Sequence, residues 1–420
     1  MVILISVFTL ALQAQEANKY LLLGATAHLG NGKSMPNSAI GIEDGKISFV
    51  ADAEIIRIDT SSFKVFNLKD KHVYPGIFAL NTQIGLKEID QIRQSHDFHE
   101  AGDFNPSARS LSSYNTDSKI IPTLRSNGIL YVQSCPSGGY ISGRSSVLKL
   151  NGWNWEDAKL IDEDGVHVRW PIKYTYRYDI WRSRQKDKPY KKWSEDISKL
   201  YTYFDKAKAY LDDADPSKKP NVNYEALRGV FNGSQNIYVH AQEAQTILSA
   251  LAFIEHYELK GVIVGGKEAH AVLGQLKKSQ VPLILDEVHR LPNNVNEPID
   301  LPYKTPKLLS DSGILFAIAS SGTWRQRNLP FHAGTAVAYG LDYEDAIKTL
   351  CLNPAKILGV DKHLGSLEEG KTASLVISNG DILDTRSNKI IMAMINGKFI
   401  SLDNEQKALY KKYMNKYELD

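Results

Sequence analysis

The sequence predicts an α/β fold: a (β/α)8 TIM-like barrel carrying a small β-sandwich domain built from both termini. Three observations predict it. Between Pro75 and Leu364, short apolar runs alternate with segments of helical spacing, the pattern of parallel βα units. Both ends of the chain are instead rich in strands and turns. The length, 420 residues with 43% hydrophobic, suits one large barrel plus an accessory domain.

Residues 16–74 form the first part of the β-domain. Here short apolar runs meet the turn Asp44-Gly45, a pair that favours the left-handed backbone of a tight hairpin. Residues 365–420 form its second part, with strands near 373–377 and 390–395, the turn Asn396-Gly397, and a polar closing helix after Leu402. The barrel occupies 75–364. Seven strands are read in it, at Ile77–Leu80, Ile129–Ser134, Val166–Trp170, Ile237–His240, Gly261–Val264, Val281–Leu285 and Ile314–Ala319, leaving one of eight hidden. Residues 174–223, rich in Lys, Tyr and Asp, read as an inserted helical segment, with helical spacing from Ser194 to Leu211.

A formal net charge of +2 gives no electrostatic footprint for nucleic acid. Residues 1–15 read as a signal peptide: an uncharged apolar run too short to cross a bilayer, followed by the small residue Ala14. The mature chain is expected in the periplasm or secreted, with no membrane insertion. Cys135 and Cys351 stand in apolar settings that suit buried free thiols.

The most informative stretch is Tyr74 to Gly85. An apolar run after Pro75-Gly76 reads as a buried strand and stops at the polar triplet Asn81-Thr82-Gln83. This phrase resembles one in the amidohydrolase superfamily, where the strand ends in a His-x-His pair. Three further phrases follow in order: Tyr238-Val239-His240-Ala241; Gly340 to Gly359, containing Asn353-Pro354-Ala355; and Gly365 to Lys371. Together they are similar to the imidazolonepropionase-like branch, over nearly the whole chain after residue 15.

The resemblance implies a hydrolase of non-peptide C–N bonds with a metal centre at the barrel mouth. Carried over position by position, that centre is degenerate. The His pair corresponds to Asn81 and Gln83, the strand-5 His is His240, the strand-6 His falls at Gly265-Gly266, and the strand-8 Asp falls at Ser320 or Ser321. His240 is the sole family metal ligand retained. Zinc prefers imidazole, thiolate or carboxylate, usually three from the protein. Carboxamide oxygens suit it poorly.

A second set is available. Asp286, Glu287 and His289 follow a strand, so they should lie on the functional face of a barrel. Glu287 and His289 with His240 could form a non-standard catalytic site, with zinc only if that site is real; alternatively Asp286 caps the turn and His289 is solvated. Gly138 to Ser146 reads either as a loop presenting backbone N–H groups and Arg144 to an anion or as a tight crossover. Trp324 and Arg325 either line a pocket or sit on the rim. His96, His99 and Glu100 read as solvated loop residues.

The expectation is therefore a metal-free, catalytically impaired amidohydrolase-like pseudoenzyme. It would bind a small amide or peptide-like ligand through Asn81, Gln83, Arg144, Ser320, Ser321, Trp324 and Arg325. A role supporting an active, related amidohydrolase subunit, in a homo- or hetero-oligomer, fits the same residues. The alternative is an active hydrolase using His240, Glu287 and His289.

Overall fold

A computed structural model describes residues 19–178, 184–213, 215, 217, 219–292 and 297–418. The signal-peptide reading of residues 1–15 lies outside them. The N-terminal part of the β-domain contributes β1 (Tyr20–His28), β2 (Ser34–Glu43), β3 (Lys46–Asp52), β4 (Lys64–Asn67) and β5 (His72–Pro75). Asp44 and Gly45 both take positive φ, +48° and +80°, which lets Glu43 pair directly with Lys46 across a two-residue turn.

The barrel follows, from β6 (Ile77–Thr82), β7 (Ile129–Ser134), β8 (Ile141–Lys149) and β9 (Lys159–Arg169). A two-strand ribbon, β10 (Tyr174–Tyr178) with β11 (Arg184–Pro189), stands outside it. Then come β12 (Asn236–Ala241), β13 (Gly261–Gly265), β14 (Leu283–Asp286) and β15 (Phe316–Ala319). The barrel sheet runs β15-β14-β13-β12-β9-β8-β7-β6, and β15 comes back against β6, so the barrel is nearly closed.

The hidden eighth strand is β8, and it differs from the parallel pattern. It pairs antiparallel with both β7 and β9. Its start coincides with the Gly138–Ser146 stretch that reads as a loop. Gly143 takes φ +127° beside a register shift, so a strand with a bulge near its start carries the glycines and serines of a turn. The insertion also departs from an all-helical reading, because β10 and β11 precede its helix. That helix, Trp193–Asp212, covers the expected span and buries Leu200, Phe204 and Ala207.

The chain returns to the β-domain through β16 (Leu375–Ser378), β17 (Ile390–Ile395) and β18 (Lys398–Phe399). β16 pairs with β5, so the two termini share one separate eight-stranded sheet. Asn396-Gly397 makes a second two-residue turn, with φ +53° and +71°. This sheet has its own core, including Leu22, Ile40, Ile42, Ile47, Leu375 and Met394. A much larger core fills the barrel and the layer between strands and helices. A polar helix, Glu405–Lys416, closes the described chain, capped by the Asn404 side chain.

Candidate functional site at the barrel mouth

The C-terminal ends of β6, β7, β9, β12, β14 and β15 surround a cavity of about 390 Å³, a size that suits a small molecule. It is the functional end of such barrels. Asn81, Gln83, His240 and Ser321 line it, together with Asp286, Glu243 and Arg169. Asn81 sits at a register shift of β6 with φ +54°, a conformation Asn tolerates better than most residues. Its backbone N–H donates to Gln133 Oε1 at 3.0 Å. The left-handed kink and that bond fix the carboxamide pair where the strand opens into the mouth.

Below the mouth the barrel interior is polar, which the sequence reading did not anticipate. His240 Nε2 meets His167 Nδ1 at 2.9 Å, and His167 Nε2 meets Ser145 Oγ at 2.8 Å. Beside them, Gln133 Nε2 and Tyr238 OH donate to Asp164 Oδ2 at 2.7 and 2.6 Å. Burial, reinforced by the charge of Arg169, pushes His240 down to about 3. Burial, then the neighbouring His240, holds His167 well below the ordinary histidine range. Both imidazoles are therefore neutral at physiological pH, one ring donating and the other accepting. Burial also raises Asp164, despite its two donors.

The other wall is built by the turn after β14. Glu287 takes φ +55° and accepts from the Ser321 hydroxyl, with Lys267 Nζ at 3.4 Å. Burial raises its carboxyl, but Ser321 and Lys267 outweigh that and hold it below the usual range. Asp286 behaves oppositely: burial, then repulsion from Glu287, pushes it up to about 7. Two adjacent carboxyls thus differ in charge near neutrality, because only one has a cation and a hydroxyl to itself. Arg290 braces the turn through Glu297 at 2.5 Å and the Lys267 carbonyl at 3.2 Å.

The remaining predicted residues fall elsewhere. His289 lines a separate cavity of about 320 Å³, bonds Thr335 Oγ1 at 2.6 Å and stacks on His332. His240 and His289 therefore face different cavities. Arg144 lies within β8, paired with Glu163 and donating to the Ser107 carbonyl at 2.9 Å, so it does not present an anion loop. Ser320 is buried beneath the mouth, its carbonyl accepting from Gln326 at 2.5 Å. Trp324 and Arg325 open a 3-10 turn, Trp324–Asn328, in which Trp324 packs on the core while Arg325 is exposed, 3.8 Å from Glu287. His96 and His99 bond the carbonyls of Ile89 and Ser137, each at 3.0 Å, and so tie down the loop after β6.

At the ends of the central strands, glycine replaces side chains. A Cβ on Gly265 would lie 2.4 Å from the Gln242 amide, and one on Gly266 would lie 2.7 Å from Leu283. Gln242 and Trp170 were missed as cavity-lining residues, whereas Asp286 was placed on the functional face. Trp170 was visible only as the last residue of an apolar run. His167 carried a signal: a histidine at the centre of a strand with apolar neighbours must face the barrel interior.

A barrel joined to a sheet from both termini, with its cavity at the strand ends, defines the amidohydrolase class of architecture. The comparisons agree. The amidohydrolase family pattern matches residues 261–400. Imidazolonepropionase of Thermoplasma volcanium is 24% identical over 382 residues, covering 86% of this chain and 89% of that protein. A solved amidohydrolase from Thermotoga maritima superposes with a TM-score of 0.76 at 22% identity, covering 91% of this chain and 99% of that one. A solved A. niger ochratoxinase superposes with a TM-score of 0.54 at 12% identity, over 93% and 98% of the two chains. The chain is thus similar to amidohydrolases, imidazolonepropionase among them, and shares the fold of the solved ones.

Proposed function

We propose that this chain binds a small amide or peptide-like ligand in the barrel mouth without a catalytic metal. The observation that carries the reading is the donor set around the cavity. It offers one imidazole, His240, already bonded through Nε2 to His167, with the carboxamides Asn81 and Gln83, the hydroxyl Ser321 and, also on the wall, the carboxyls Asp286 and Glu243. Among the described residues, no three His, Cys, Asp or Glu side chains gather in a way that could hold a metal ion. A zinc ion wants three such protein ligands and an open position for water. These residues do not fit it, so they give no support to hydrolysis through a metal-bound water.

The same donors suit a polar neutral ligand. Carboxamides, hydroxyls and a neutral imidazole each combine donor and acceptor character, and they match amide groups without the desolvation cost of a buried charge. The reading is tested by titrating chelator-treated protein with uncharged probes, N-acetylglycine N-methylamide and simple amides. Saturable binding is expected without added metal, and Gln83→Phe, which fills the mouth, should abolish it while leaving the fold intact by circular dichroism. Binding that appears only when zinc is supplied would refute the reading.

A further inference from the structure

Three polar atoms around the mouth have no hydrogen-bond partner among the described residues: Trp170 Nε1, Gln242 Oε1 and Asp286 Oδ1. All three residues line the same cavity. Trp170 is 4% exposed, with its ring system packed against Phe253, centroids 5.1 Å apart, so the indole is anchored in the core. A buried polar atom without a partner is costly, and three on residues that line one cavity mark a place where a ligand supplies the missing bonds.

Their positions follow the order of the barrel. Trp170 follows β9 and its backbone N–H bonds the His240 carbonyl at 3.1 Å. Gln242 follows the adjacent β12, and Asp286 ends β14. Between them β13 ends in Gly265, at φ +112°, against which the Gln242 amide packs; any side chain there would displace it. The glycine keeps the gap between the second and third groups open.

We infer that the mouth selects a neutral small molecule bearing a primary carboxamide, its carbonyl accepting from Trp170 and its N–H groups donating to Gln242 and Asp286. The stoichiometry leads to this class. An indole N–H only donates, so the ligand must bring an acceptor. Two side-chain oxygens remain for ligand donors, and a primary carboxamide has two N–H donors on one nitrogen. A carboxylate could find the charge of Arg169 on the wall but lacks the N–H donors that Gln242 and Asp286 call for; an ester supplies the carbonyl alone. This inference rests on the mouth being a ligand site, as proposed above, and adds which chemistry it admits.

The test compares N-acetylglycinamide with N-acetylglycine methyl ester by calorimetric titration. Alongside it, the Trp170 indole resonance is followed by 15N–1H correlation spectra and assigned by its loss in Trp170→Phe. The amide is expected to bind at least about tenfold tighter than the ester, since groups built to accept N–H would be left unpaired by the latter. It should also shift the Trp170 indole signal. Asp286→Ala and Gln242→Leu should each narrow the amide-over-ester preference; Asp286→Asn, nearly isosteric, controls for loss of fold. Equal binding of both compounds, abolished by Gln83→Phe, would overturn this inference and leave the ligand-site reading standing. Binding of neither would also overturn it, while the titration with N-acetylglycine N-methylamide decides the ligand-site reading separately.

Discussion

At the scale of single residues, the mouth is organised by which groups stay neutral. Asp286 is raised to about 7 from an ordinary 3.8. Between those values the folded chain keeps a proton that the unfolded chain has released, so the stability this group contributes falls as pH rises from about 4 to about 7. Asp286→Asn cannot ionise. It should therefore be more stable than the parent at pH 8, by about 1–3 kcal/mol, and lose that advantage near pH 4, as read by urea unfolding at both values. His240 runs the other way. Its value is lowered to about 3 from 6.5, so the unfolded chain takes up a proton below about pH 6.5 that the folded chain refuses. The stability it contributes is present above that pH and is lost as pH falls. His240→Gln should flatten the acid limb of the stability profile, and an unchanged limb would show that the imidazole is not buried neutral.

At the scale of elements, β8 carries the clearest lesson and a prediction. A Cβ on Gly143 would lie 2.8 Å from the Ala108 carbonyl oxygen, and the backbone there is at φ +127°. Gly143→Ala should cost about 1–3 kcal/mol, measured as a lowered midpoint of chemical unfolding. Arg144, on the same strand, is engaged by Glu163. Arg144→Met should lower stability without changing ligand affinity, and a matching loss of affinity would return Arg144 to the site. Most barrel strands were legible because continuous apolar runs mark strands buried on both faces. β8 was not, since its Ile141-Ser142-Gly143-Arg144-Ser145-Ser146 start has turn composition and becomes a strand only by pairing between β7 and β9. The hairpins at Asp44-Gly45 and Asn396-Gly397 were legible because their residues carry the required backbone conformation themselves.

At the scale of the whole molecule, the fold is that of solved amidohydrolases, and its strand ends carry carboxamides, hydroxyls and glycines. The ordered phrases around Pro75, His240, Asn353 and Gly365 made the fold readable, because each occupies a structural joint. Cys351 Sγ contacts the Pro75 carbonyl at 3.6 Å, Asn353 donates to the Phe316 carbonyl at 2.7 Å, and Gly365 packs where a Cβ would lie 2.7 Å from Ala355. The mouth was readable only in part. Asn81, Gln83, His240 and Ser321 could be located by counting from those joints, whereas Trp170, Gln242 and the His167–His240 pair depend on how neighbouring strands are staggered. The central claim concerns the site as a whole: this barrel mouth is a metal-free binding site. Elemental mass spectrometry on protein purified without chelator or a His-tag tests it most directly. The account predicts far less than one zinc, manganese or iron per chain, unchanged by His240→Gln. Close to one metal per chain, lost on that substitution, would contradict it.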